Sequence, residues 1–274
     1  MFILNFLFKE GDELFMKDGH IHSPYCPHGS KDDFEKYIQR AIDVGITEMT
    51  FTEHFPYADG FKDPAPENDS CMSIEDLPKY LNDVKRLKEK YKGKIKINVG
   101  SEVDFIEGYE EGIKQNLDKY GDELEDSLLS VHIIKIDDTY YCVDYSVEEF
   151  QNLIDKLGSI EAVYNKYYET LIKAVNSDLG IHKPRRIGHL NLVRKFNQAF
   201  PYDYKGNKVL EDLIKLVKEK GYELDYNVSG NRKEYCKEPY IDGYLLKLVK
   251  EYDIPLVLGS DSHCAEEIDN YNIF

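Results

Sequence analysis

Short apolar runs rich in β-branched residues alternate along the chain with longer stretches of helical spacing, the pattern of repeated βα units. Seven runs read as strands: Asp18–His22, Glu48–Glu53, Ile95–Val103, Leu128–Ile134, Ile187–Leu190, Glu223–Asn227 and Pro255–Gly259. Between them, helices are expected over Asp32–Val44 opened by Ser30, over Ile74–Tyr91 opened by Ser73, and over a long segment, Ser146–Asp178. Ser146 followed by Glu149 has the spacing of a capping box. Two further helices, Lys208–Lys220 ending at Gly221 and Tyr240–Tyr252, precede the last two strands. Helices lying between strands imply a parallel sheet with right-handed crossovers, and seven such units favour a closed barrel. An open doubly wound sheet is the alternative, although no G-x-G-x-x-G follows the first strand.

Length and charge narrow the picture. The 274 residues suffice for one barrel-sized domain, and no repeat, low-complexity tract or linker divides them. One domain over residues 16–274 is expected, after an N-terminal extension over residues 1–15. The apolar stretch MFILNFLF is too short for a membrane helix and lacks the basic start of a signal peptide. It reads as a dispensable extension or as a strand or short helix packed on the outside. Lys and Arg number 35 against 52 Asp and Glu, a net charge of −17, which argues against nucleic acid or an anionic membrane as partner. Five scattered cysteines without a C-x-x-C pair read as reduced thiols, and a cytoplasmic location is the default. Cys26 reads as a packed thiol. The irregular segment Tyr57–Ser70 after the second strand is a candidate lid.

The chemistry lies where the runs stop. The first strand ends in His20 and His22, the second in His54, the third near Glu102, the fourth in His132, the fifth in His189 and the seventh in Asp261 and His263. His28 sits in the loop after the first strand. In a βα barrel these carboxyl ends share one face. Residues two apart on a strand point the same way, so His20 and His22 can address one ion. Imidazoles with a few carboxylates suit Zn²⁺, Fe or Mn²⁺, and nine such groups exceed the needs of one ion, so two or three divalent ions are expected.

With these residues in view, the chain resembles the PHP (polymerase and histidinol phosphatase) family, in its histidinol-phosphatase branch. The matching segments are DGHIHSPYCPHGS, TFTEHFP, VGSEVDFIEGYE, SLLSVHII, KPRRIGHLNLVRKF, LDYNVSGNRKEYC and GSDSH. The resemblance implies an α/β fold, a distorted seven-stranded (β/α) barrel with the metal site at the C-terminal ends of its strands. It implies a first ion on His20, His22, Glu102 and Asp261, a second on Glu102, His132 and His189, and a third on His28, His54 and His263. The implied reaction is hydrolysis of a small phosphorylated amino alcohol, L-histidinol phosphate, to L-histidinol and phosphate in histidine biosynthesis. Glu102, His132, Asp261 and Arg232 are the expected catalytic residues. Asn227, Ser229, Arg232, Arg194 and Lys195 are the expected substrate contacts, with arginine able to grip phosphate bidentately. A nucleotide 3′–5′ phosphoesterase, a phosphotyrosine-protein phosphatase and a non-catalytic metal- or partner-binding module remain as alternatives.

Two features depart from that branch. Asn191 stands two residues after His189, where some members carry Asp, and an amide cannot act as a general acid. The chain also stops eleven residues after His263, where a further helix is expected.

Overall fold

The computed structural model describes residues 7–10 and 13–269. In chain order the elements are β1 (Leu7–Glu10), β2 (Glu13–Ile21), α1 (Phe34–Asp43), β3 (Glu48–Phe51), α2 (Leu77–Lys90), β4 (Lys96–Val99), β5 (Glu102–Asp104) and α3 (Glu110–Tyr120). Then come β6 (Leu128–Ser130), β7 (Ile133–Ile136), β8 (Thr139–Cys142), α4 (Val147–Leu157), α5 (Ile160–Asn176), β9 (Arg186–Ile187), α6 (Lys208–Lys220), β10 (Glu223–Asn227), α7 (Gly243–Glu251) and β11 (Leu256–Gly259).

The strands form a four-stranded sheet, β1-β2-β3-β4, and a five-stranded sheet, β11-β10-β9-β6-β5. Every pairing in these sheets is parallel except β1 with β2. The sheets meet at two seams. Ile21 bridges to Ser262 and His54 to Glu102, both parallel, and the Asp261 N–H donates to the His20 carbonyl at 2.7 Å. Strand β3 is buried along its whole length, as parallel strands covered on both faces are.

Helix placement follows from local chemistry. Asp33, rather than Ser30, caps α1, its side chain accepting the Lys36 N–H, and Phe34, Tyr37, Ile38 and Ala41 form the buried stripe. Ser146 caps α4 through the Glu149 N–H at 3.1 Å, as the capping box predicts. The long helix expected over Ser146–Asp178 is two helices. Gly158 closes α4 in the left-handed conformation, φ 86°, and Ser159 caps α5.

Three further differences concern strands. The third run breaks at Gly100 and Ser101 into β4 and β5. The fourth ends at Ser130, and Ile133–Ile136 turns back instead into an antiparallel hairpin with Thr139–Cys142. Helix α3 was not among the expected helices. At the amino end, Leu7–Glu10 pairs antiparallel with Glu13–Met16, which extends β2 upstream of the predicted Asp18. The rest of the expected extension, residues 1–6 and 11–12, and the last residues, 270–274, lie outside the described residues. Among the described residues no helix is long and apolar enough to cross a membrane.

Candidate metal centre

Strand β2 carries Asp18 and His20 and ends just before His22, all three fully buried. Its two-residue period aims both imidazoles at the space between the sheets. His22 Nε2 lies 3.1 Å from Asp261 Oδ1, and His20 Nε2 lies 3.4 Å from Glu102 Oε2. Across that space, Glu102 Oε1 is 2.8 Å from His189 Nε2 and accepts the Ser130 hydroxyl at 2.7 Å. Beyond β3, His54 places Nδ1 3.2 Å from Glu102 Oε2. The rings of His22 and His263 stack with centroids 3.9 Å apart, and His28 Nε2 stands 3.2 Å from His263 Nε2.

These contacts resolve into three clusters of potential ligands: His20, His22 and Asp261; Glu102, His132 and His189; and His22, Cys26, His54 and His263. Glu102 lies between the first two. All nine residues expected as ligands therefore converge on one site, with His28 joining through His263.

The carboxylates behind the histidines were not anticipated. Asp225 Oδ2 sits 2.7 Å from His20 Nδ1, Asp104 Oδ1 sits 2.7 Å from His132 Nδ1, and Glu53 Oε1 sits 3.4 Å from His22 Nδ1. Each fixes one ring nitrogen and leaves the other facing the centre, the arrangement that orients metal-binding imidazoles. Strand alternation carried the signal. Asp104 lies two residues after Glu102, and Asp225 two before Asn227, each pair on one face of its strand.

The electrostatics suit a cation. Burial opposes charge on Glu102, yet His20, His132 and His189 hold its carboxyl well below the usual range. Burial likewise opposes charge on Asp261, and His20, His22 and His263 outweigh it. Burial, and next His22, drives His54 well below the ordinary imidazole value. His20 Nε2, both ring nitrogens of His54, His189 Nδ1 and Glu102 Oε2 are buried without a hydrogen-bond partner. Buried polar atoms left unpaired are costly, and divalent ions would satisfy those nitrogens and oxygens that face the centre. Asp261 also holds a left-handed backbone, φ 51°, strain of a kind found at functional sites.

A cavity of about 610 Å³ opens over the clusters, lined by His54, His132, His189, Asp261 and His263 and, further out, by Tyr57, Glu67, Asp69, Asp104, Asp144, Lys195, Lys233 and Tyr240. The Tyr57–Ser70 segment forms one wall. Its Glu67 carboxylate accepts the Tyr145 hydroxyl, and its Asp69 carbonyl lies 2.8 Å from His28 Nδ1.

The expected substrate contacts divide. Lys195 lines the cavity, its Nζ 2.9 Å from Asp144 Oδ2. Lys233, not anticipated, lines it too. Arg194 lies elsewhere, paired with Glu238, donating to the Tyr202 carbonyl and stacked on Tyr204. Arg232 is absent from the lining, and its Nη2 donates to the Ser260 carbonyl at 2.8 Å behind Asp261. Asn227 and Ser229 both donate to Asp261 Oδ2, at 3.2 and 3.0 Å, and so position that carboxylate rather than line the cavity. Arg194 is drawn away by the nearby carboxylate and the tyrosine ring, and Arg232 by two backbone carbonyls. Asn191 accepts the Tyr168 hydroxyl at 2.7 Å.

The chain as a whole has relatives. The chain is 43% identical over 256 residues to the histidinol-phosphatase of Bacillus subtilis, covering 92% of this chain and 95% of that protein. It superposes with a TM-score of 0.88 on the crystal structure of a Listeria monocytogenes protein assigned to the histidinol phosphatases, at 33% identity over 93% of this chain and 98% of that one. The fold is shared with the Lactococcus lactis histidinol phosphate phosphatase, solved with zinc, L-histidinol and phosphate, at a TM-score of 0.68 and 24% identity over 91% and 86% of the two chains. The PHP domain itself matches residues 18–229, a span that runs from the start of the His20–His22 pair through β10, and the chain therefore belongs to the PHP family.

Proposed function

We propose that the protein is a metal-dependent phosphomonoester hydrolase that converts L-histidinol phosphate and water to L-histidinol and phosphate, a step of histidine biosynthesis. One observation carries the reading: three ligand clusters converge under a cavity whose wall offers both cations and carboxylates. A phosphorylated amino alcohol carries both charges. The 43% identity to a histidinol-phosphatase over nearly the whole chain supports the same substrate.

His20, His22, Glu102 and Asp261 would hold one divalent ion, Glu102, His132 and His189 a second, and His54, His263 and His28 a third. The donor set admits zinc, iron or manganese. Bound, such ions supply Lewis-acid charge to phosphoryl oxygens and make water acidic near neutral pH. The remaining work falls to the chain. Lys195 and Lys233 balance the charge of the phosphate dianion. Glu67, hydrogen-bonded to the neutral Tyr145 hydroxyl, faces the cationic end of the substrate. Asn227, Ser229 and Arg232 hold Asp261 in its strained conformation, and the Tyr57–Ser70 wall narrows the mouth against water. The seams at Ile21–Ser262 and His54–Glu102 support reading the parallel strands as a distorted seven-stranded barrel, with β4 and β5 as one interrupted strand. All five cysteines are free, which suits the reducing cytoplasm.

The test is phosphate release from histidinol phosphate, a mononucleotide, p-nitrophenyl phosphate and a phosphotyrosine peptide, with metal content measured on the same sample. Histidinol phosphate should be hydrolysed best, and Glu102→Ala and His132→Ala should abolish turnover. A folded protein that retains no metal, or better turnover of the nucleotide or the peptide, would overturn the assignment.

A further inference from the structure

Cys26 lies in the turn between His22 and His28, with its N–H donating to the Ser23 carbonyl at 3.0 Å and its own carbonyl accepting the Gly29 N–H at 3.2 Å. The turn buries the side chain to 3% exposure. It also brings the sulfur among three imidazoles: Sγ and one ring nitrogen each of His22, His54 and His263 all lie within 4.8 Å of one another. Burial, and next the Glu53 charge, push this thiol well above its ordinary value, so it carries its proton when no ion is bound. A packed thiol needs none of this company. A second, independent feature points to a ligand at the same place. His54 is 7% exposed, and neither of its ring nitrogens has a hydrogen-bond partner.

We propose that Cys26 is a metal ligand: its sulfur joins His54 and His263 in holding the outermost ion of the centre. The proposal deepens the reading of the site as a metal centre and rests on it. On binding, a sulfur–metal bond forms, the S–H bond breaks, and the proton leaves to solvent. In a tetrahedral site with metal–nitrogen distances of about 2.0 Å and metal–sulfur of about 2.3 Å, neighbouring donors are about 3.3–3.6 Å apart. A cluster already confined within 4.8 Å therefore needs to contract by only about an ångström. A thiolate in this position biases the outer site toward zinc or iron and away from manganese or magnesium, which prefer oxygen donors. The other two clusters contain only imidazole and carboxylate, so the positions would differ in metal preference within a single centre.

The experiment is X-ray absorption at the zinc edge on the full-length protein loaded with zinc, with metal counted in the same sample, for the wild type, Cys26→Ser and Cys142→Ser. The cavity-lining Cys142 lies in none of the clusters and serves as the control. A sulfur neighbour at about 2.3 Å is expected in the wild type and in Cys142→Ser, and its loss is expected in Cys26→Ser. Zinc retained with only nitrogen and oxygen neighbours in the wild type overturns the proposal while leaving the metal centre standing. Sulfur persisting in Cys26→Ser also overturns it. Failure of the folded wild type to retain zinc overturns both readings. If Cys26→Ser does not fold, the wild-type spectrum decides.

Discussion

Asp225 and His20, 205 residues apart in sequence, meet with Oδ2 2.7 Å from Nδ1, both side chains buried. The contact fixes which nitrogen of His20 faces Glu102 and Asp261. The same carboxylate oxygen accepts the His189 N–H at 3.2 Å, so one aspartate on β10 positions candidate ligands on β2 and just after β9. Asp225→Asn keeps the volume but removes the charge that pairs with Nδ1–H. Metal affinity and turnover should fall about 10- to 100-fold, as when such outer partners are lost elsewhere. Metal retention against a graded chelator, read beside kcat, checks it. Wild-type retention in the variant would show that the contact does not orient His20.

Adjacent cations, Lys195 and Arg194, should separate by assay. Lys195 faces the cavity beside Asp144, whereas Arg194 is held by Glu238, the Tyr202 carbonyl and the Tyr204 ring. Lys195→Met should lower kcat/KM for the phosphate ester by roughly a hundredfold to a thousandfold, the scale of losing one charge-stabilising donor, and should lower Tm as well, since burial opposes the charge on Asp144 and Lys195 is the cation that most offsets it. Arg194→Met should lower Tm alone, the folded fraction keeping its kcat/KM. Thermal melts and initial rates on both variants decide the matter, and an Arg194→Met enzyme of normal Tm but impaired turnover would return that residue to the substrate.

Gly188 permits the approach of β6 and β9 beneath Glu102. A Cβ at this position would lie 2.1 Å from Ser130 Oγ and 3.3 Å from Glu102 Oε1. Gly188→Ala should therefore cost about 1–3 kcal/mol, as overpacking does, and should break the Ser130–Glu102 hydrogen bond. Removing the obstructing hydroxyl in Ser130→Ala leaves the new Cβ at ordinary contact distance from the Ser130 Cβ, 3.4 Å. The double variant should then recover most of the lost stability in a urea titration. Strictly additive losses would mean that the clash lies elsewhere.

These residues show which parts of the molecule could be read from the chain. The convergence of these residues was legible because the period of two puts His20 and His22 on one face of a strand, and because strand ends in βα units gather at one face. The same period places Asp104 with Glu102 and Asp225 with Asn227. The alternation marks the face but not the partner, which only the contacts with His132 and His20 reveal. The β7–β8 hairpin was hidden, since Ile133 and Ile134 continue the apolar run of β6 and periodicity cannot mark a reversal at Val131–His132. Gly158 divides a helical pattern that is apolar on both sides, and the Gly158–Ser159 pair, a helix stop followed by an N-cap, is the signal that marks the break. Arg194 and Arg232 were assigned from charge and proximity in sequence. Where a long side chain points depends on partners such as Glu238 and the Ser260 carbonyl that no local pattern reveals.

At the opposite end of the strands, Arg186 of β9 is 2% exposed, with Nη1 2.9 Å from Asp126 Oδ1 and Nη2 donating to the Gly19 carbonyl at 2.7 Å. Asp126 also takes Lys17 at 2.8 Å and the Thr50 hydroxyl at 2.7 Å, and so ties β9 to β2 and β3. Removing one partner of a fully buried pair costs about 3–5 kcal/mol. The Asp126 side chain is 19% exposed, so Asp126→Asn should cost less, about 1–3 kcal/mol near neutral pH. Burial opposes the charge on Asp126, but Arg186 and Lys17 outweigh it and hold the carboxyl below its ordinary value of 3.8. A depressed carboxyl contributes stability above its unfolded value and loses it as pH falls through the folded one. The stability gap between wild type and Asp126→Asn should therefore stay constant from pH 7 to about 5 and shrink below about 4. Urea titrations of both proteins at stepped pH measure that gap directly, and titrations common to the two chains cancel. A gap that persists undiminished until the wild type itself unfolds would mean that the carboxylate charge does not hold these strands together.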